Sequence, residues 1–166
     1  MFREMRRKKQ ALRPEDCARI LAQGTSGVLA LLGDDGYPYA VPLSYVYHEG
    51  RVYFHSAMAG HKLDALRRCP KASFCVVDQD QVVPETYTTY FRSVIAFGAV
   101  RILEDEAEKR AAAELLAMKY APAGSNENRA EVIRQEWPRF CMLELSVEHL
   151  TGKEAIELVR ERRETP

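Results

Sequence analysis

No CxxC pair and no metal-like cysteine spacing occur in these 166 residues, and no signal peptide marks the chain for an oxidising compartment. Cys17, Cys69, Cys75 and Cys141 are therefore expected as reduced, mostly buried thiols rather than a disulfide framework. His48, His55, His61 and His149 form neither an HxxxH nor an HExxH pair, so no helix offers two imidazoles to zinc, and no metal is expected. GxxxxGK[ST], a GxGxxG after a strand and a GxSxG elbow are all missing, which removes the usual signatures of nucleotide hydrolysis, Rossmann dinucleotide binding and serine hydrolysis. Neither sign of charge dominates: Lys plus Arg and Asp plus Glu each number 24. No global field favours nucleic acid or an anionic membrane, and neither is expected as a partner. The apolar runs fall far short of a bilayer span, and the basic start MFREMRRKKQ is followed by no apolar h-region. A cytoplasmic protein is expected, one domain over 1–166 with its core at about 11–155 and a charged tail, RERRETP, that frays.

What is present reads as strands with peripheral helices. RPEDCARILAQG has Pro14 near a helix start, acids in the first turn, Cys17, Ile20 and Leu21 at helical spacing, and Gly24 as a stop. GVLALLGDDGYPYAVPLSYVYHEGRVYFHS holds three β-rich runs separated by Asp34-Asp35-Gly36 and His48-Glu49-Gly50, which are hairpin signals. The middle run sets Tyr37, Tyr39, Val41, Leu43, Tyr45 and Tyr47 on one face, against Pro38, Ala40, Pro42, Ser44 and Val46 on the other. Prolines 38 and 42 donate no backbone hydrogen bond, so an edge strand, a bulge or a ligand-facing backbone are the open alternatives. KASFCVVD and SVIAFGAVRILED read as two more strands, with Gly98 marking a bulge or close approach and a long connection or extended strand pair between them. EDEAEKRAAAELLAMKYAP is a helix with apolar Leu115, Leu116 and Met118; Asn126 caps a shorter one to about Gln135, and RFCMLELSVEHLTGKEA is the strand that closes the sheet. The pattern predicts a mainly β protein, a small antiparallel barrel with peripheral helices.

One stretch asks for a ligand. In YFHSAMAGHKLDALRRCP a β-type run breaks into small residues, passes through Gly60-His61-Lys62, and starts a helix whose first turn is cationic. A helix N-terminus already carries free N–H groups and partial positive charge, so further cations there make sense beside an anion. A solvated basic helix face would explain the same charges. The small residues Ser56, Ala57, Ala59 and Gly60, one hairpin away from Pro42, favour a phosphate carrying a flat ring.

The joint occurrence of Val41-Pro-Leu-Ser-Tyr45, Tyr53-Phe-His-Ser-Ala57 and Gly60-His-Lys62, followed by YTTYFRSVIAFGAVRILEDEAEKRAAAELLAMKYAP and TGK, resembles the flavin-binding split-barrel superfamily of pyridoxamine 5′-phosphate oxidase. Within it, the chain is most similar to the 5-nitroimidazole reductase (Nim) branch, over about Gly27 to Lys153. The resemblance implies an antiparallel split β-barrel with FMN at the interface of a homodimer. Pro42, Leu43, Ser44 and Tyr45 would line the isoalloxazine from one strand, and Phe54, His55, Ser56 and Ala57 from another. His61 and Lys62 would hold the phosphate, while Tyr90, Phe91, Arg92, Ser93 and Val94 would come from the neighbouring subunit.

Arg92 is then the candidate for tuning the flavin near N1 and O2, or else a surface arginine after a Thr-rich run. Trp137 covers the ring or plugs the core. His55 is the candidate catalytic residue, or a packed strand histidine. The implied function is an FMN-dependent oxidoreductase passing electrons from NAD(P)H or another reductant to a small aromatic or nitro-bearing acceptor; the alternative is a non-catalytic flavin or tetrapyrrole binder.

Overall fold

The structure, a computed structural model, describes residues 2–164. Helix α1 (Pro14–Gln23) buries Cys17, Ile20 and Leu21 and stops at Gly24, as its spacing predicts. Strands β1 (Ser26–Leu32), β2 (Pro38–Ser44), β3 (Val46–His48) and β4 (Arg51–Ala57) follow, turning at Asp35–Gly36 and Glu49–Gly50 with positive φ. After α2 (His61–Arg68) come β5 (Lys71–Val83) and β6 (Thr88–Ile102), then α3 (Glu106–Tyr120), α4 (Asn126–Glu136), β7 (Phe140–Glu154) and α5 (Ile156–Glu164). Among the described residues no helix is long and apolar enough to cross a membrane.

All seven strands pair antiparallel in the order β2-β1-β5-β6-β7-β4-β3. The strands at the two ends of that order, β2 and β3, are neighbours in the chain, separated only by Tyr45. The sheet therefore curls into a barrel that is split where the chain bends at Tyr45, the mainly β split barrel expected from the sequence. Both prolines of β2 sit on this edge, where a missing N–H costs no ladder bond. The barrel is filled by Leu29, Leu31, Phe54, Phe74, Val94, Leu143 and Leu145. A second apolar cluster lies outside it, where Val46, Tyr53 and Met142 meet Ala112, Ala113, Leu116 and Ile133 of α3 and α4.

Several elements differ from expectation for identifiable reasons. β7 joins the sheet from its middle, between β6 and β4. The segment between the fifth and sixth strands is an extended pair: β5 and β6 run past the sheet, with Gln79–Val83 opposite Thr88–Arg92 and a bulge after Val77. Gly98 does mark a bulge against β7, and a Cβ there would lie 1.9 Å from the Ser146 carbonyl oxygen. The N-cap of α4 is Ser125, whose hydroxyl accepts from the Asn128 N–H, one residue earlier than the predicted Asn126. Met118 faces outward, 53% exposed, because the apolar stripe of α3 runs through Ala112, Ala113 and Leu116 instead. The charged tail is helical to Glu164: Leu158 and Val159 bury, and Arg162 reaches Asp16 and Glu154, so it is docked where fraying was expected. Thr165 and Pro166 lie outside the described residues.

Candidate functional site

The split leaves a cavity of about 450 Å³ between the outer faces of β2 and β4 and the pair α3–α4. Ser44 and His55 give it polar groups; Leu116, Ile133, Phe140 and Met142 supply most of an apolar wall, with Tyr120 and Glu136 also lining it. Strand alternation decides which predicted residues reach this side. Pro42 and Ser44 face outward and Leu43 packs on the barrel core; His55 and Ala57 face outward, whereas Phe54 and Ser56 are buried. Of the two predicted runs, Leu43, Phe54 and Ser56 can therefore meet a ligand on the outer face only through their backbone. His55 is exposed, and within the described residues no hydrogen bond engages its ring.

Tyr45 has a structural task at the bend. Its ring is fully buried against Phe74 (4.8 Å), and its hydroxyl finds no hydrogen-bond partner among the described residues; burial pushes the phenol above its ordinary pKa. Its backbone, which no strand pairs at the split, is served by α3. The Tyr45 N–H donates to Tyr120 Oη (2.9 Å), and that hydroxyl is also within reach of the Tyr45 (3.0 Å) and Thr25 carbonyl oxygens. Lys119 donates to the Gly24 carbonyl and lies 4.3 Å over the Tyr45 ring. Burial lowers the pKa of Lys119.

The expected phosphate cradle follows β4. Gly60 sits at φ 126°, in the region that favours glycine, and caps α2 with no side-chain hydrogen bond; the Leu63 N–H donates to the Gly60 carbonyl (2.9 Å), which leaves the His61 and Lys62 amides open. Lys62 is half-buried, and among the described residues no carboxylate pairs with it. Burial lowers its pKa, with a small opposing pull from the Cys141 thiol. That thiol donates to the Ala57 carbonyl (3.5 Å) and is itself pushed up by burial, against the influence of its backbone hydrogen bond and of Lys62, Lys109 and Arg67. His61 turns the other way: it stacks on Tyr39 at 4.1 Å, and its Nε2 lies 3.5 Å from Asp34, which also holds Arg68 at 2.6 Å. Of the predicted phosphate pair, Lys62 has a charge free for an anion and His61 is engaged within the chain.

The remaining predicted residues lie elsewhere in the protomer. Tyr90 and Phe91 are half-buried on the projecting β5–β6 pair, Arg92 and Ser93 are half-buried where β6 pairs with Glu154 and Lys153 of β7, and Val94 is fully buried in the barrel. Arg92 is clamped, with Nε on Glu154 (3.1 Å) and Nη1 on Asp78 (3.1 Å). Trp137 packs outside the cavity lining: its indole N–H donates to Glu106 (2.9 Å), and the buried Lys109 sits 4.0 Å over its ring and donates to its carbonyl (3.1 Å). It plugs the second cluster, one of the two roles the sequence left open. Sequence reasoning missed Tyr120 and the α3–α4 wall, because MKYAP reads as a helix terminus. The one available signal was the spacing of Leu116 and Tyr120, four residues apart and so on one helix face.

A barrel split at one bent strand, with an apolar cavity on its outer face and an uncompensated lysine beyond it, defines the class of the split barrels. Residues 13–154 match the family described as pyridoxamine 5′-phosphate oxidase, and the chain belongs to that family. An uncharacterized protein of Rhizobium meliloti is 38% identical over 64 residues, 39% of this chain, and the match spans only 41% of that relative. Among solved structures, a candidate 5-nitroimidazole antibiotic resistance protein from Bacteroides thetaiotaomicron is similar at TM-score 0.72 and 22% identity, covering 87% of this chain and 86% of its own. An FAD-binding protein from Mesorhizobium loti is similar at TM-score 0.62 and 24% identity, covering 88% and 97%. At these identities the structural likeness speaks for the fold.

Proposed function

We propose that the protein is a homodimeric flavoprotein, with FMN on the outer face of the split and electrons passing from NAD(P)H or another reductant to a small aromatic or nitro-bearing acceptor. The observation that carries this reading is Lys62: a desolvated cation with no carboxylate partner among the described residues, beside the open His61 and Lys62 amides and within electrostatic reach of Cys141, the chain neighbour of the cavity residues Phe140 and Met142. The donor set fits FMN. The Lys62 side chain and the His61 and Lys62 amides would hold the phosphate, Ser44 and His55 with the backbone of β2 and β4 would meet the ring, and the α3–α4 wall would exclude water. Bound FMN supplies the electron chemistry, and the protein's part is position and charge. His55, exposed at the cavity with no partner for its ring, is the side chain available to move a proton toward an acceptor. The family match and the FAD-binding and nitroimidazole-resistance neighbours support a flavin and a nitro-type acceptor.

The homodimer reading draws support from the outer sheet face, where Pro42, Val28, Cys75, Ile95 and Thr151 fall in one row across five strands, without a charge. The test is direct. The purified protein should be yellow, bleach with NAD(P)H and recolour with a nitroaromatic acceptor. A colourless protein that takes up no added FMN would overturn the flavin assignment. A yellow one that no reductant bleaches would leave a binder only.

A further inference from the structure

We propose that the cleft between residues 6–10 and α5 binds the phosphates of a nucleotide, of the class carried by a 2′-phosphorylated nicotinamide dinucleotide. The nucleotide's role as reductant rests on the flavoenzyme reading; the phosphate site does not. Arg3, Arg6, Arg7, Lys8 and Lys9 face a single acid, Glu4, within seven residues of a chain that is balanced only as a whole. Four of these cations line a cleft of about 590 Å³ together with Gln10 and the apolar Ile156. Lys8 is paired with Glu4 (2.7 Å), and Arg7 donates to Gln10 Oε1 at 3.4 Å, but among the described residues no carboxylate contacts Arg6, Arg7 or Lys9.

A loose basic tail would disperse such charges into solvent. This one is tied down: Phe2 stacks on His149 at 4.5 Å, the buried Gln10 donates to the Glu154 carbonyl at 3.0 Å, and the Leu12 N–H donates to the Gly152 carbonyl at 2.9 Å. Lys8–Gln10 also form a helical turn between these anchors. Like charges held together in this way repel, and a multivalent anion relieves the repulsion. The cleft has the size of a small-molecule site and an apolar side chain for a ring. Nucleic acid would instead favour a basic stripe reaching well beyond one cleft, whereas outside residues 3–9 acids outnumber cations.

The position of the cleft favours a reductant. Gln10 is bonded to the backbone of Glu154, whose carboxylate holds Arg92 at 3.1 Å, and Arg92 is the residue that the flavin reading brings to the ring of the neighbouring subunit. Calorimetric titration with adenosine 2′,5′-bisphosphate and with adenosine, on wild type and on an Arg6→Ala/Arg7→Ala/Lys9→Ala variant, tests the site. All three side chains are exposed, so the fold is retained. The wild type should prefer the bisphosphate, increasingly so at low salt, and the variant should lose roughly tenfold or more of that affinity while its flavin content stays unchanged. In turnover, the KM for NADPH should rise in the variant more than that for NADH.

Equal bisphosphate affinity in the two proteins would overturn the site. So would tighter binding of a short single-stranded oligonucleotide through the same three residues, which would assign the cations to nucleic acid. A protein without flavin whose bisphosphate binding still depends on these cations would uphold the cleft and remove only the flavoenzyme reading.

Discussion

Lys62 shows how a single side chain can be costly in one state and useful in another. Burial lowers its pKa, so the folded chain gives up this proton at a lower pH than the unfolded chain, whose lysine titrates near its ordinary value of about 10.4. Between those two points the unfolded state binds more protons and stability rises with pH. Below them, Lys62 is charged in both states and its desolvation weighs against folding. Lys62→Met should therefore raise the urea midpoint of the flavin-free protein at pH 7. It should also narrow the preference for FMN over riboflavin by about ten- to a hundredfold, since a charge-assisted phosphate contact is worth about 1.5–3 kcal/mol. Unchanged stability together with equal losses for FMN and riboflavin, read by fluorescence quenching, would return Lys62 to a solvated helix start. His55 is a separate case, because among the described residues no hydrogen bond or ion pair engages its ring. If it moves a proton, His55→Ala should retain FMN and lose about 10²- to 10⁴-fold in acceptor turnover in stopped-flow assays. Loss of FMN with unchanged turnover per bound flavin would make it a binding residue only.

At the scale of elements, the split depends on α3. The bend at Tyr45 leaves a main-chain N–H and C=O with no strand neighbour, and the Tyr120 hydroxyl serves both from the last residue of the helix. Tyr120→Phe removes that partner and keeps the ring. It should cost about 1–2 kcal/mol in urea unfolding, a range for orphaned backbone groups with some access to water, and should loosen the wall of the cavity. A midpoint equal to wild type would show that solvent satisfies the bend. Such cross-chain service explains which parts of the fold were legible in the sequence. The alternation of β2, the turns at Asp35–Gly36 and Glu49–Gly50, the stripe of α1 and the Gly98 bulge are local patterns, and each reads correctly from its own residues. The mid-sheet position of β7, the docking of α5 through Arg162 and the engagement of His61 by Asp34 depend on partners 27 to 146 residues away or on strand order, which no local period encodes. The site was legible to a lesser degree: Lys62 came from the helix-start pattern, Ser44 and His55 only from the family resemblance, and Tyr120 became visible only when α3 was laid across the split.

At the scale of the whole molecule, one protomer presents surface that it does not use. On the outer side of the sheet the row Pro42, Val28, Cys75, Ile95 and Thr151 is uncharged from edge to interior, and Val28 within it is 39% exposed. Beyond the sheet, the β5–β6 pair projects as a two-stranded ribbon ending at Tyr87, which is 98% exposed; such ribbons are marginal in water without something to pack on. In the proposed dimer a second copy related by a two-fold axis would meet both needs, covering the row with its own and giving the ribbon, with Tyr90 and Phe91 along it, a surface beside the neighbouring cavity. A stable interface of this kind buries roughly 1,200–2,000 Å² in total, so one carboxylate at its centre should be enough to break it. Val28→Asp keeps the strand, because position 28 faces away from the barrel core. It should give a folded monomer by circular dichroism and sedimentation at micromolar concentration, with FMN affinity lower by roughly tenfold or more as the partner's contribution is lost. A wild type that sediments as a monomer while holding stoichiometric FMN would refute the two-fold assembly. A Val28→Asp dimer with unaltered flavin affinity would move the interface off this face, and the ribbon alone would then have to account for any partner contact.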